Sequence, residues 1–97
     1  MAAYIALATF TDQGLRTAKD SVKRADAASE LASRYGVQMK DIHWTLGAYD
    51  IVAEFDARDD AAMVAYALAI GAAGNVRFQS MRALDRDEMS KVIQKMP

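Results

Sequence analysis

One histidine, His43, and no cysteine occur in this chain of 97 residues. Thiol nucleophiles, disulfides and zinc–thiolate sites are thereby excluded, and proton transfer near neutral pH falls to the imidazole. His43 stands in Asp41-Ile42-His43-Trp44-Thr45, and Glu54 in Ile51-Val52-Ala53-Glu54-Phe55-Asp56. Both runs alternate at period two, the mark of strands with one face in a core and one outside. Between them Gly47-Ala48-Tyr49-Asp50 supplies a tight reversal. With a II′-type loop at Gly47-Ala48, His43 opposes Val52 and is diagonal to Glu54; with a loop at Ala48-Tyr49, it opposes Glu54 directly. Either register makes His43 and Glu54 neighbours. A carboxylate beside an imidazole orients the ring and raises its basicity, as a general base requires. In a solvated sheet the same pair is an ordinary cross-strand ion pair, contributing less than about 1 kcal/mol. The structural role is the expected one. The methionines lack the spacing of soft-metal ligands and read as packing, so neither metal nor cofactor is expected.

Parity also predicts what surrounds the pair. Ile42, Trp44 and Leu46, with Ile51, Ala53 and Phe55, form rows expected to face helices, with Trp44 in the core. Asp41, His43, Thr45 and Glu54 then look to the open side. On the first strand the open row is expected to be Tyr4, Ala6 and Ala8, where two alanines leave a depression or admit a partner closely. Tyr49 and Asp50 are expected to serve the turn, the aspartate by bonding nearby backbone donors.

The elements follow from the same reading. Strands are predicted at 3–10, 37–47, 50–57 and 75–84. Apolar residues at Val22, Ala25, Ala28, Leu31, Ala32 and Tyr35 mark a helix ended by Gly36, with Gln13–Lys19 a separate short turn before it. A second helix opens at Arg58-Asp59-Asp60, with an acid to cap it, and carries no charge from Ala61 to Ala73. Its Met63, Val64, Tyr66, Leu68 and Ile70 point in enough directions for a second buried face. Asp85-Arg86-Asp87-Glu88 has capping-box spacing, and Met89, Val92, Ile93 and Met96 follow on one face of a terminal helix. The order β-α-β-β-α-β-α is the ferredoxin-like pattern with an added C-terminal helix, and its right-handed crossovers give the spatial order 4-1-3-2.

Composition bounds the rest. The chain reads as a single domain, residues 1–97, with 53% apolar residues and a net charge of −1. Acids and bases are interspersed, so no electrostatic footprint for nucleic acid or an anionic membrane is present. An N-terminus without a basic segment and a long apolar stretch gives no sign of a signal peptide, and the expected location is the cytoplasm. A small chain this apolar, with one bare sheet face, is expected to bury that face against itself in a dimer or larger homo-oligomer.

Five segments together resemble the GYD (Gly-x-Tyr-Asp) domain family: Leu46-Gly47-Ala48-Tyr49-Asp50, Gly74-Asn75-Val76-Arg77, Phe10-Thr11-Asp12-Gln13-Gly14, Lys23-Arg24-Ala25-Asp26-Ala27 and Met81-Arg82-Ala83. The resemblance covers nearly the whole chain and implies an α+β, ferredoxin-like domain of the dimeric α/β-barrel group. In that group two four-stranded antiparallel sheets, helices on one face, pack through their open faces. Similar sequences often carry Thr-x-Thr-x-Arg in the fourth strand, which implies Phe78, Ser80 and Arg82 on the open face; Phe78 departs from the threonine. On this basis the candidate ligand-binding residues are Tyr4, His43, Glu54, Ser80 and Arg82. The candidate catalytic residues are His43 as base, Glu54 as its orienter and Arg82 as anion stabiliser. Three functions follow: a homo-oligomer holding a small organic molecule in a cleft between sheet and helices or between protomers; a cofactor-free enzyme resembling the monooxygenases and isomerases of that group; or an assembly module without ligand.

Overall fold

Alternation and capping place the elements where the sequence predicts them. The computed structural model describes residues 1–97. Its strands are β1 (Ala2–Phe10), β2 (Val37–Trp44), β3 (Ile51–Ala57) and β4 (Val76–Ala83). Its helices are α1 (Asp12–Arg16), α2 (Ser21–Arg34), α3 (Asp60–Ala72) and α4 (Arg86–Gln94), with a 3₁₀ turn at Ala18–Asp20 between the first two. The sheet is antiparallel throughout in the order β2-β3-β1-β4. This is the ferredoxin-like α+β fold with an added C-terminal helix. Asp59 caps α3 by accepting from the Ala62 N–H at 2.8 Å. Asp85 and Glu88 close a full capping box at the start of α4.

The core lies between the sheet and α2 and α3. Tyr66 of α3 is its hub: the ring is fully buried, 5.4 Å from Phe55 and 6.4 Å from Phe78, edge-on to both. Its hydroxyl donates to the Ala28 carbonyl of α2 at 2.9 Å, tying the two helices together. Burial pushes the Tyr66 phenol up to about 12, so it stays neutral and a donor. On α2 the inward row is Ala25, Ala28, Leu31 and Ala32, whereas Val22 is exposed. On α3, Ala62, Met63 and Tyr66 are buried while Val64 and Leu68 stand in solvent. No residue of α4 is buried, and Met89, Val92 and Ile93 on its apolar side are uncovered.

Register corrects the facing of two strands. Tyr4, Ala6 and Ala8 pair with Phe55, Ala53 and Ile51 on one side and with Arg82, Ser80 and Phe78 on the other. Residues directly opposite share a face, so all nine lie on the helix side. Tyr4, Ala6 and Ala8 are accordingly buried. The expected open-face rows on β1 and β4 are therefore inverted. The open side instead carries Ile5 and Leu7 of β1, Val52 of β3 and Met81 of β4, flanked by Glu54, Asp41 and His43. The depression made by Ala6 and Ala8 exists, but beneath the helices.

A bulge accounts for β2. Pairing passes from Met39–Phe55 to Asp41–Glu54, leaving Lys40 as the extra residue. It lets Val37 and Met39 face the helices along with Ile42 and Trp44, although the two pairs differ in parity. The strand ends at Trp44, so Leu46 lies fully exposed in the loop and Trp44 is 42% exposed at the sheet margin. Neither belongs to the core.

Candidate ligand-binding cavity

Small residues from four elements meet between helices and sheet and leave a hollow. Ala8 of β1 and Ala53 of β3 form its floor, Ala25 and Ala28 of α2 one wall, and Ala69 and Ala73 another. The cavity measures about 260 Å³, and 17 of its 20 lining residues are hydrophobic. Close-packed interiors hold few voids larger than a water molecule. A dry apolar cavity of roughly 150 Å³ already accommodates benzene, so this one has room for a larger, ring-sized organic molecule. Its three polar lining residues are Ser21, Arg24 and Asn75.

Two family-like segments build the end of the cavity where those three stand. Thr11 reaches back to the turn after α3: its N–H donates to the Asn75 carbonyl at 3.1 Å and its hydroxyl to the Gly74 carbonyl at 2.5 Å. Gln13 Nε2 donates to the Ala73 carbonyl and to Asn75 Oδ1, at 3.1 and 3.0 Å. A side chain at Gly14 would put its Cβ 2.0 Å from the Asn75 carbonyl oxygen, so only glycine permits this approach. Arg24 then spans from α2 to the segment before it. Nη1 donates to the Thr17 carbonyl and hydroxyl at 2.7 and 2.8 Å, and Nη2 to the Gly14 carbonyl and Ser21 Oγ at 3.3 and 3.4 Å.

The turn Gly47-Ala48-Tyr49-Asp50 is a structural device. Gly47 has φ +132°, a conformation that disfavours any side chain. Asp50 immediately precedes β3, at the level where β1 runs on past its last paired residue, Ala8. Its N–H donates to the Ala8 carbonyl, its carbonyl accepts from Thr45, and Oδ2 accepts the Phe10 N–H, each within 2.9 Å. The carboxylate thus replaces the missing rung of the ladder. Thr45 Oγ1 closes the loop by donating to the Tyr49 carbonyl at 2.6 Å.

The residues singled out from the sequence fall into three places. His43 opposes Val52, in the first of the two expected registers, on the open face. Its partner is not Glu54 but Asp41: Nε2 lies 3.0 Å from Asp41 Oδ2, with side chains 67% and 55% exposed. Residues i and i+2 on one strand share a face, and the bulge at Lys40 turns Asp41 onto it. Glu54 sits across from Asp41 and Ile5 and joins no ion pair. Tyr4 and Arg82 come together toward the other end of the helix side from the cavity-lining Ala8 and Phe78, the guanidinium 5.8 Å from the ring centroid. Tyr4 donates to Asp60 Oδ1, and Arg82 is paired with Glu88 at 3.2 Å. The Tyr4 phenol is pushed up to about 12 by burial and by its bond to Asp60. Ser80 lies beside α3 in a shallow groove with Val64 and Leu68. None of the five lines the cavity.

Sequence reasoning missed Ser21, Arg24 and Asn75 as a group. The readable signal was alanine at 25 and 28, and again at 69 and 73, helical spacings that put a notch on each inner wall.

The family model of the GYD domain matches residues 4–93, and the chain therefore belongs to the GYD domain family. No curated protein matches the sequence.

Proposed function

For this GYD-family chain, we propose a small-molecule-binding domain that works as a homo-oligomer. The observation that carries the proposal is the cavity between α2, α3 and the sheet: about 260 Å³, lined overwhelmingly by apolar groups, in a domain with only 12 buried residues. A chain with so little core to spare gains nothing from a void, since each lost contact weakens packing. A site meant to be filled explains why alanine recurs on floor and walls where larger apolar residues would stabilise the apo protein.

Oligomerisation rests on the open face. Ile5, Leu7, Val52 and Met81 make an apolar column there. Asp41 and Glu54 lie toward one edge and Arg77 toward the other. A two-fold axis in the plane between two such sheets would pack this column against its own copy. Native mass spectrometry of protein purified from its own host tests both halves together. A dimer or larger species retaining a small organic molecule is expected. A ligand-free monomer of 10.6 kDa at micromolar concentration refutes the proposal.

A second reading draws on the Asp41–His43 pair. A carboxylate-held imidazole on a face covered by a partner sheet has the parts of a general base, so the alternative is a cofactor-free enzyme acting between protomers. Turnover of an activated phenol or quinol that disappears in His43→Ala supports it; the absence of turnover by the assembled protein rejects it.

A further inference from the structure

We infer that the cavity takes an anionic ligand, an apolar ring system or short chain ending in a carboxylate, with Arg24 as the anion's partner. The inference rests on the cavity reading above and specifies its ligand. Every polar group available at the cavity's lining is suited to donate. Arg24 carries a fixed positive charge, and no carboxylate pairs with it: its partners are the neutral oxygens of Thr17, Gly14 and Ser21. The two contacts of Nη2 are long, 3.3 and 3.4 Å, so this nitrogen can turn its hydrogens to a stronger acceptor at little loss. Asn75 uses its Oδ1 to accept from Gln13, which leaves its Nδ2 as the group for the cavity. Ser21 adds a hydroxyl. Among the 20 lining residues there is no aspartate or glutamate.

A half-buried guanidinium at an otherwise apolar cavity is held by anchors that fix its position without neutralising it. Thr17 and Gly14 do this from one side, and Gly14 is itself fixed by the close approach of Asn75. Such a preset donor group favours a carboxylate, for which the charge-assisted bond is about twice as strong as a neutral one. It disfavours a cation, which would leave both charges unpaired beside apolar surface.

The probes are 2-naphthoate and its neutral isostere 2-naphthamide, titrated into full-length protein labelled at alanine methyls. Expected are shifts at Ala28, Ala53 and Ala69, naphthoate affinity at least about tenfold above that of naphthamide, and loss of the preference in Arg24→Met, because naphthoate affinity falls further than naphthamide affinity. Because Arg24 also braces the segment before α2, a salt series on the unmutated protein supplies a second readout: the preference should shrink as salt rises. Equal affinity for the two probes overturns the anionic assignment and leaves the cavity reading standing. A preference that survives Arg24→Met overturns the role of Arg24. Failure of both probes to shift those methyls overturns the cavity reading and this inference with it.

Discussion

Replacing Ala53 with leucine puts three carbons onto the floor of the cavity, and the sign of the stability change tells whether the hollow is real. In a close-packed interior, added methylenes force strained rotamers and cost about 1–3 kcal/mol. In an empty apolar cavity of about 260 Å³, the same carbons leave water without displacing protein atoms. At about 0.8 kcal/mol per buried carbon the gain is about 2.4 kcal/mol. Fixing the leucine rotamer returns roughly 0.5–1 kcal/mol of that. The net expectation is a stabilisation of about 1.5 kcal/mol, or a rise in Tm of roughly 6–12 °C for a domain of this size. Urea denaturation followed by circular dichroism, at one fixed protein concentration so that assembly does not enter, measures it. Affinity for 2-naphthoate should fall at the same time, because the leucine occupies the site. Ala28→Leu, from the helical wall, is an independent repeat. Destabilisation of 1 kcal/mol or more in both variants refutes the cavity and the function built on it.

Three further outcomes are expected. Asp50→Ala removes the charged acceptor of the Phe10 N–H and should cost about 2 kcal/mol in urea denaturation, with Asp50→Asn intermediate; a change below about 0.5 kcal/mol would show that the carboxylate does not serve the sheet. The phenols of Tyr4 and Tyr66 are both raised to about 12 from an unfolded value of about 10. Their contribution to stability is therefore complete below pH about 10 and lost as pH rises through the folded value; absorbance titration at alkaline pH should show Tyr4 and Tyr66 ionising late, together with unfolding, and their ionisation at pH about 10 in the folded protein contradicts it. A double-mutant cycle should find His43 coupled to Asp41 and not to Glu54, with His43→Ala changing stability by less than about 1 kcal/mol because the pair is exposed; coupling to Glu54 instead would contradict the pairing of His43 with Asp41.

The fold was legible because its local signals agreed with one another. Asp59, and Asp85 with Glu88, announced two helix starts that the hydrogen bonds reproduce. The reversal at Gly47–Asp50 set the hairpin, and its register was one of two that parity allowed. What parity could not supply was which face of β1 and β4 meets the helices. The expectation put Tyr4, Ala6 and Ala8 outward on β1, and the family resemblance put Phe78, Ser80 and Arg82 outward on β4. Pairing of Ala6 with Ala53 and of Ala8 with Ile51 reverses this, because the helix side leaves a hollow and the open side bears the larger apolar residues. The shift in β2 was readable in principle: Val37 and Met39 are odd, Ile42 and Trp44 even, and only an extra residue reconciles them on one face. That bulge also brings Asp41, rather than Glu54, to His43.

The candidate site was harder to read because its residues are far apart in sequence and unremarkable singly. Ser21, Arg24 and Asn75 converge only through the clamp of Thr11 and Gln13 on the 73–75 turn and the glycine that permits it. Loss of that clearance should therefore act on binding as well as on folding. In Gly14→Ala the new methyl meets the Asn75 carbonyl oxygen at 2.0 Å, and rigid backbone on both sides leaves no flexible side chain to yield. The 73–75 turn must move, and it carries Asn75 away from Arg24. The face of the cavity that offers donors would then open, while its alanine floor, set by β1 and β3, stays in register. Discrimination between an anionic and a neutral ring should suffer more than affinity for the neutral one, which ties the family-like Thr11–Gly14 segment to ligand choice through backbone packing alone.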